Sequence, residues 1–448
     1  MAVLQYLVDL GASVMMPIIF TIFALILGVK LGQAIKSGLL VGIGFIGLNA
    51  IITLLTENLG PAAEKMVQNL GLNLTVLDVG WPAASAIAFG STVGILIIPL
   101  GIIVNVIMIL TKTTRTINVD IWNFWHFAFT GSLVYMLTGN IWLSLFISAL
   151  NMIITMVIGD RTAPLVEKSL GLPGIAIAHG FTASFVPLAL AINWVLDRIP
   201  GINKIKLDAA TIQKKFGVFG EPAILGTIIG ALLGILAKYN VKETLNLAVV
   251  MGAVLVLTPK MAAVLMEGLM VVSEAVQEFL QKRYAGKGTL YIGLDSAVGV
   301  GHPVTLAISL VSIPVALLLA FIVPGNQFLP FASLAGLPFM FVLIVPIARG
   351  DFFRSFVIGV ITLALGLLIG TNLAPLFTQA ASAANFAIPN GTTLISSIDY
   401  GSSIFPWISI MLVKFKWVGI AIATIFTLAL ALWNRSKIVK EESAESAN

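Results

Sequence analysis

SAVGVGHPVTLAISLVSIPVALLLAFIVPGNQFLPFASLAGLPFMFVLIVPIA, residues 296–348, runs for 53 residues without an Asp, Glu, Lys or Arg. A helix needs about 20 such residues to cross the hydrocarbon core of a bilayer. The stretch therefore holds more than one crossing, or a crossing plus a hairpin that dips in and returns. Residues 10–29, 37–56, 79–111, 121–159, 169–196 and 355–398 are likewise free of charge. Hydrophobic residues make up 58% of the chain and charged residues 10%, with a mean hydropathy of +1.04. A soluble domain is about one-quarter charged. The pattern predicts an all-α polytopic membrane protein with about ten to twelve elements that cross or dip into the bilayer. The first apolar run is too long for the core of a signal peptide and lacks a basic start.

The net charge of +5 does not indicate nucleic-acid binding, because the cations sit mostly in short loops. The longest polar segment, DRIPGINKIKLDAATIQKKFG (197–217), is strongly basic. The positive-inside rule places it, and the tail RSKIVKEESAESAN (435–448), in the cytoplasm. The N-terminal MAVLQYLVDLGA has no Lys or Arg, which fits an outside start. There is no cysteine, which excludes disulfides, thiolate metal sites and thiol chemistry on this chain.

The two halves resemble each other. PIIFTIFALILGVKLGQAIK (17–36) lines up with the segment 222–242, and LNLTVLDVGWP (72–82) with GTLYIGLDSAV (288–298), pairing Asp78 with Asp295. IIPLGIIVN (97–105) matches 312–320, TGNIWLSLF (138–146) matches 348–356, and AIAHG (176–180) matches AIPNG (387–391), pairing His179 with Asn390. The loop charges favour inversion of one half against the other. This predicts two inverted repeats, 1–205 and 219–434, joined by a basic cytoplasmic linker at 206–218 and followed by a cytoplasmic tail at 435–448. Such repeats describe transporters that bind solute near the midplane, at discontinuous helices. GPAAEKMVQNLG (60–71) and MEGLMVVSEAVQEFLQKRYAG (266–286) read as amphipathic helices lying at the interface.

Gly, Pro and small polar residues break the apolar stretches at 79–91, 171–184, 293–303 and 385–397. Non-helical backbone at membrane depth is tolerated only where protein or a watery cavity satisfies it. These four breaks, predicted as re-entrant hairpins, are the candidates for the solute site. The chain's three histidines, His126, His179 and His302, all interrupt such stretches. Polar groups so placed usually face a cavity. His126 follows Asp120 in NVDIWNFWH, in a run with Trp122, Asn123 and Trp125; indole faces and hydrogen-bonding groups suit a polyol. An interfacial Trp belt is the plainer account of the tryptophans. His179 precedes Gly180 in a Gly/Pro-rich break. Asp295 and His302 share one break. A desolvated carboxylate there can accept a proton or orient a hydroxyl, although Asp also caps helices. Glu221, before Pro222, fits helix-entry chemistry equally well. YAGKGT (284–289) lacks the Ser or Thr that a phosphate loop needs after Lys287. No spacing suits a metal, and no cofactor is expected.

At FGEP, NVDIWNFWH, IAIAHG and GLD…GHP the chain resembles enzyme IIC, the membrane subunit of bacterial phosphotransferase systems, in the galactitol-type branch of the ascorbate–galactitol superfamily. The most specific segments are DVGWP (78–82), NVDIWNFWH (118–126), IPGINKIKLDAATIQKKFG (199–217), KFGVFGEP (215–222) and PGNQFLPF (324–331). The family often has Pro where Ala178 stands. The resemblance implies a multi-pass protein of the bacterial inner membrane. It implies a homodimer in which each protomer has a scaffold and a mobile core domain working as an elevator. It also implies cytoplasmic IIA and IIB partners, the latter bearing the phosphocysteine that phosphorylates the sugar or polyol. The missing cysteine fits a donor on another protein. On this resemblance His126, His179, Asn123, Trp81, Trp122, Gly180, Asp295 and Asn390 bind substrate, and Asp295, Glu221 or His302 positions the acceptor hydroxyl. The rival readings are an ion-coupled transporter that releases unmodified solute, and a membrane enzyme or scaffold without translocation.

Overall fold

The computed structural model describes residues 12–70, 74–202, 205, 221–284, 290–386, 388 and 394–445. The first half opens with α1 (Ala12–Ile26) and α2 (Leu31–Leu70). A short strand β1 (Val76–Asp78) leads to α3 (Gly80–Gly90) and α4 (Thr92–Leu110), and β2 (Thr116–Asn118) to a 3-10 turn (Ile121–Phe124), α5 (Trp125–Thr138) and α6 (Ile141–Leu170). Strand β3 (Ile175–Ile177), α7 (Gly180–Ser184) and α8 (Val186–Leu196) close this half. The second half runs α9 (Pro222–Leu236), α10 (Val241–Tyr284), β4 (Tyr291–Leu294), α11 (Ala297–Val300), α12 (Pro303–Ile322) and β5 (Phe328–Leu329). A 3-10 turn (Ala332–Gly336), α13 (Leu337–Ile347), α14 (Phe352–Ala383), β6 (Leu394–Ser396), a further 3-10 turn (Tyr400–Ser402), α15 (Ile404–Lys414) and α16 (Lys416–Glu445) complete it.

Among the described residues, seven helices are long and apolar enough to cross a membrane, and five shorter apolar helices accompany them. The protein is therefore an all-α polytopic membrane protein at the level of its spans. Local chemistry sets where two of the long helices begin. Gly139 takes φ 65° and Gly350 φ 73°. The side chain of Asn140 then caps α6 by accepting from the Leu143 N–H at 3.1 Å, and Asp351 caps α14 by accepting from Arg354 at 2.9 Å. Capping satisfies one of the backbone donors that a helix start leaves without a partner.

Six short strands accompany these helices among the described residues, and the apolar pattern does not announce them. They form two parallel sheets, β5-β1-β6 and β2-β4-β3. Each central strand comes from one half of the chain and both its neighbours from the other. Val76 lies between Phe328 and Leu394, and Ile292 between Ile117 and Ile175. The sheets solve the problem posed by interrupted helices: backbone groups freed from helix at membrane depth must find partners, and the two halves supply them to each other.

Two segments differ from their sequence reading. Residues 60–70 and 266–284 are not separate amphipathic helices but the ends of α2 and α10, which run 40 and 44 residues. Periodicity reports that a segment is helical, not that a new helix begins, and the Gly60–Pro61 pair that reads as a break lies inside α2. The tail beyond 435 is helical as far as Glu445. It is held by ion pairs from Lys112 to Glu442 (2.7 Å) and from Arg115 and Arg161 to Glu441 (3.3 and 2.9 Å). Beneath them Asn434 donates to buried Asp160 at 2.6 Å.

Helices α1, α2, α9 and α10 pack together. The remaining helices build a second group around both sheets. Its centre is dense with aromatic rings: Phe124, Phe127, Phe129, Phe331, Phe341, Phe377 and Tyr400 are fully buried. Phe129 meets Phe377 edge-on at 5.0 Å. At one end of this group Asp197 accepts from Arg354 and Arg349, each at 2.7 Å. These guanidinium groups, Arg354 foremost, hold its carboxyl below the usual carboxylate range.

Candidate functional site

Strands β2, β3 and β4 end side by side, and each delivers polar residues to one place. β2 leads through Asp120 into the 3-10 turn carrying Asn123 and then into α5 with His126. β3 leads to His179, and β4 to Asp295. The Asn123 amide nitrogen donates to Oδ2 of Asp295 at 3.0 Å and also to Oδ2 of Asp120. Asp295 is held at the head of its own short helix by the Ala297 N–H, 2.7 Å away. Its side chain remains 21% exposed, whereas that of His179 is 6% exposed. The carboxylate is thus the open edge of an otherwise closed cluster.

Hydrogen bonds fix the tautomers of the two histidines. His126 Nδ1 lies 2.8 Å from the carbonyl oxygen of Asn123. A carbonyl can only accept, so in the neutral ring Nδ1 carries the proton and Nε2 is a bare acceptor. That Nε2 is buried and has no partner. His179 caps α7, its Nδ1 accepting from the Thr182 N–H at 3.3 Å. The Thr182 hydroxyl proton is taken by the Phe339 carbonyl at 2.8 Å. His179 Nε2 therefore carries the proton and faces Oδ1 of Asp295 across 3.8 Å. The rings meet edge-on, 4.5 Å between centroids. One site thus presents a bare nitrogen acceptor, an N–H donor and a carboxylate within a few ångströms, the pattern that a run of hydroxyl groups can satisfy.

Gly180 makes this approach possible. A Cβ at that position would lie 2.8 Å from Cβ of His126, 3.0 Å from its Cγ and 3.2 Å from Cε2 of Tyr400. Substituting Gly180→Ala should push the β3–α7 tip away from α5. Solute affinity is expected to fall by about 10- to 100-fold, because small displacements of binding groups are costly. Isothermal titration of the purified variant checks this.

The tryptophans divide differently from expectation. Trp81 and Trp122 pack edge-on against each other at 6.3 Å, and Trp122 rests on Phe89 at 5.7 Å. The indole that stacks on His126, at 4.0 Å, belongs to Trp125. Tyr400 closes the other side of His126 at 5.0 Å, its hydroxyl accepting from Thr130 at 3.3 Å. Asp120, Trp125 and Tyr400 were not among the site residues inferred from sequence. The first two flank the Asn123–His126 stretch, but nothing near Tyr400 in sequence points to a residue in the first half. His302 heads α12, and its Nδ1 is buried without a hydrogen-bond partner. Among the described residues no hydrogen bond, ion pair or ring contact joins it to His126, His179 or Asp295. Glu221 is exposed at the head of α9, without a capping bond. Asn390 lies outside the described residues.

A family model described as "PTS system sugar-specific permease component" matches residues 6–391. The chain is 39% identical, over 444 residues and 98% of both chains, to the Escherichia coli K12 protein named "PTS system galactitol-specific EIIC component". It is 36% identical over 437 residues to another protein of the same strain, named "Putative permease IIC component"; the match covers 98% of this chain and 100% of that one. Both matches run through the strands and turns that carry Asn123, His126, His179 and Asp295. The chain belongs to the sugar-specific permease components, enzyme IIC, of the phosphotransferase system, multi-pass proteins of the bacterial cell membrane.

Proposed function

We propose that this enzyme IIC carries galactitol or a closely related polyol, and that the cluster of Asn123, His126, His179 and Asp295 is where the polyol binds. The observation that carries this reading is the buried, unpartnered Nε2 of His126 beside the donor Nε2 of His179. An orphaned buried acceptor is costly, and a hydroxyl that donates to His126 while accepting from His179 satisfies both nitrogens. The next hydroxyl along the carbon chain donates to Asp295. The name of the 39% identical relative points to the same class of solute. Trp125, stacked on His126, forms one wall, and Gly180 admits the hairpin.

On this reading Asp295 positions the acceptor hydroxyl at the inner face, where a separate enzyme IIB presents its phosphocysteine. The hydroxyl oxygen bonds to phosphorus, the S–P bond breaks, and the hydroxyl proton passes to Asp295. Positioning and charge stabilisation contribute most of the rate. The two halves, about 1–205 and 219–434, are inverted repeats joined by the basic linker. Supporting this is the order helix, helix, strand, helix, helix, strand, 3-10 turn, helix, helix, strand, which occurs in both halves. Under that alignment the counterpart of His179 is Asp399, which caps its own turn after β6 by accepting from Gly401 at 2.8 Å, rather than Asn390. The group α1, α2, α9 and α10 serves as the scaffold of a homodimer. The group around the sheets is the moving core of an elevator.

A polyol titration of the purified protein tests the binding site. Galactitol should bind, and His126→Ala should weaken it by about tenfold or more through the lost acceptor. Equal affinity in wild type and variant would place the polyol elsewhere.

A further inference from the structure

Asp120 is a second carboxylate at the site with no part in the reading above. Its side chain accepts from the same Asn123 nitrogen that donates to Asp295. Its backbone N–H donates to Oδ1 of Asn118 at 3.1 Å, which fixes the loop after β2. Two carboxylates therefore converge on one amide group. The groups facing them are Asn123 from the 3-10 turn, Ser296 beside Asp295, His179 from α7 and His126 beyond it. Among the described residues no Lys or Arg pairs with either acid.

The other sheet shows the contrast. There Phe331 follows β5 by two residues, as Asp120 follows β2. Its N–H donates to buried Asp78 at 2.5 Å, and Gly80, the Ser333 N–H and the Ser333 hydroxyl also donate. Asp78 shares none of these donors with another acid, whereas Asp295 shares the Asn123 amide with Asp120. A second carboxylate beside the first, in a water-poor site, favours uptake of a proton.

We infer that Asp120 and Asp295 share one proton in the empty site, held in register by Asn123, and that the arriving polyol displaces it. The polyol hydroxyl that donates to Asp295 takes the place of that proton, which leaves to solvent. Asp120 is thus a positioning residue that makes polyol binding depend on pH. This deepens the binding reading above and rests on it.

The test is galactitol affinity, by titration calorimetry across acid and neutral pH, for wild type, Asp120→Asn, Asp120→Ala and Asp295→Asn, with Tm recorded for each. Wild-type affinity should rise with pH as the shared proton becomes easier to displace. In Asp120→Asn, which removes one of the paired charges, that rise should move to lower pH by about one unit or more. Because its Oδ1 still accepts from Asn123, it should bind better at neutral pH than Asp120→Ala. A pH dependence due to His126 or His179 alone would survive the Asn substitution, and superimposable wild-type and Asp120→Asn profiles would overturn the inference. The two failures separate: if Asp295→Asn also keeps the wild-type affinity and profile, the binding site itself is misplaced.

Discussion

Asp295→Asn is expected to abolish phosphorylation-coupled uptake while leaving the fold intact. The substituted amide still accepts from the Ala297 N–H, now 2.7 Å from the carboxylate, so the turn after β4 keeps its anchor. What is lost is an acceptor for the hydroxyl proton. Removing a positioned general base lowers rates by a factor of about 100 to 10,000. The rate of polyol-phosphate formation by vesicles carrying the variant, supplied with phosphorylated IIB, measures this. A rate within about threefold of wild type, far from the loss a general base implies, would remove Asp295 from the chemistry.

Asp78→Ala should give the largest loss of stability. Asp78 is fully buried and receives four hydrogen bonds, from Gly80 N–H (3.0 Å), Phe331 N–H (2.5 Å), Ser333 N–H (2.9 Å) and the Ser333 hydroxyl (2.6 Å). Phe331 and Ser333 lie more than 250 residues away in sequence, so the side chain ties the halves of the molecule together. Its removal leaves buried donors without acceptors, at a cost of about 4 kcal/mol or more. The Tm of the detergent-solubilised variant should fall markedly, whereas that of Asp295→Asn should not. An unchanged Tm for Asp78→Ala would mean that water or another group replaces the carboxylate.

How far the sequence disclosed this molecule depends on which residues are asked about. His126, His179 and Asp295 were legible because a polar side chain in a charge-free stretch has few inexpensive places to go, and the structure brings these three together with Asn123. Helical spans were legible from length and composition alone. The strands were not: VLD, TIN and IAI are three residues each, too short to show alternation. Their partners lie in the other half of the chain, where no local pattern reports them. Tyr400 against His126 and Asp78 against Ser333 are tertiary facts of the same kind. Trp125 was read beside Trp122 but not carried into the site, because spacing does not tell which of several neighbouring indoles faces the histidine. His302 had the same credentials as the other histidines, yet among the described residues no hydrogen bond, ion pair or ring contact joins it to them; six residues of turn and short helix separate it from Asp295.

The most direct measurement of the central claim is the chemical form of the polyol inside sealed vesicles containing the purified protein. Galactitol is supplied outside, with phosphorylated IIB inside. The reading developed from the Asn123–His126–His179–Asp295 cluster predicts polyol phosphate inside, and no accumulation when IIB is omitted. Accumulation of unmodified galactitol without IIB, driven by a pH gradient, would contradict it and show an ion-coupled transporter instead.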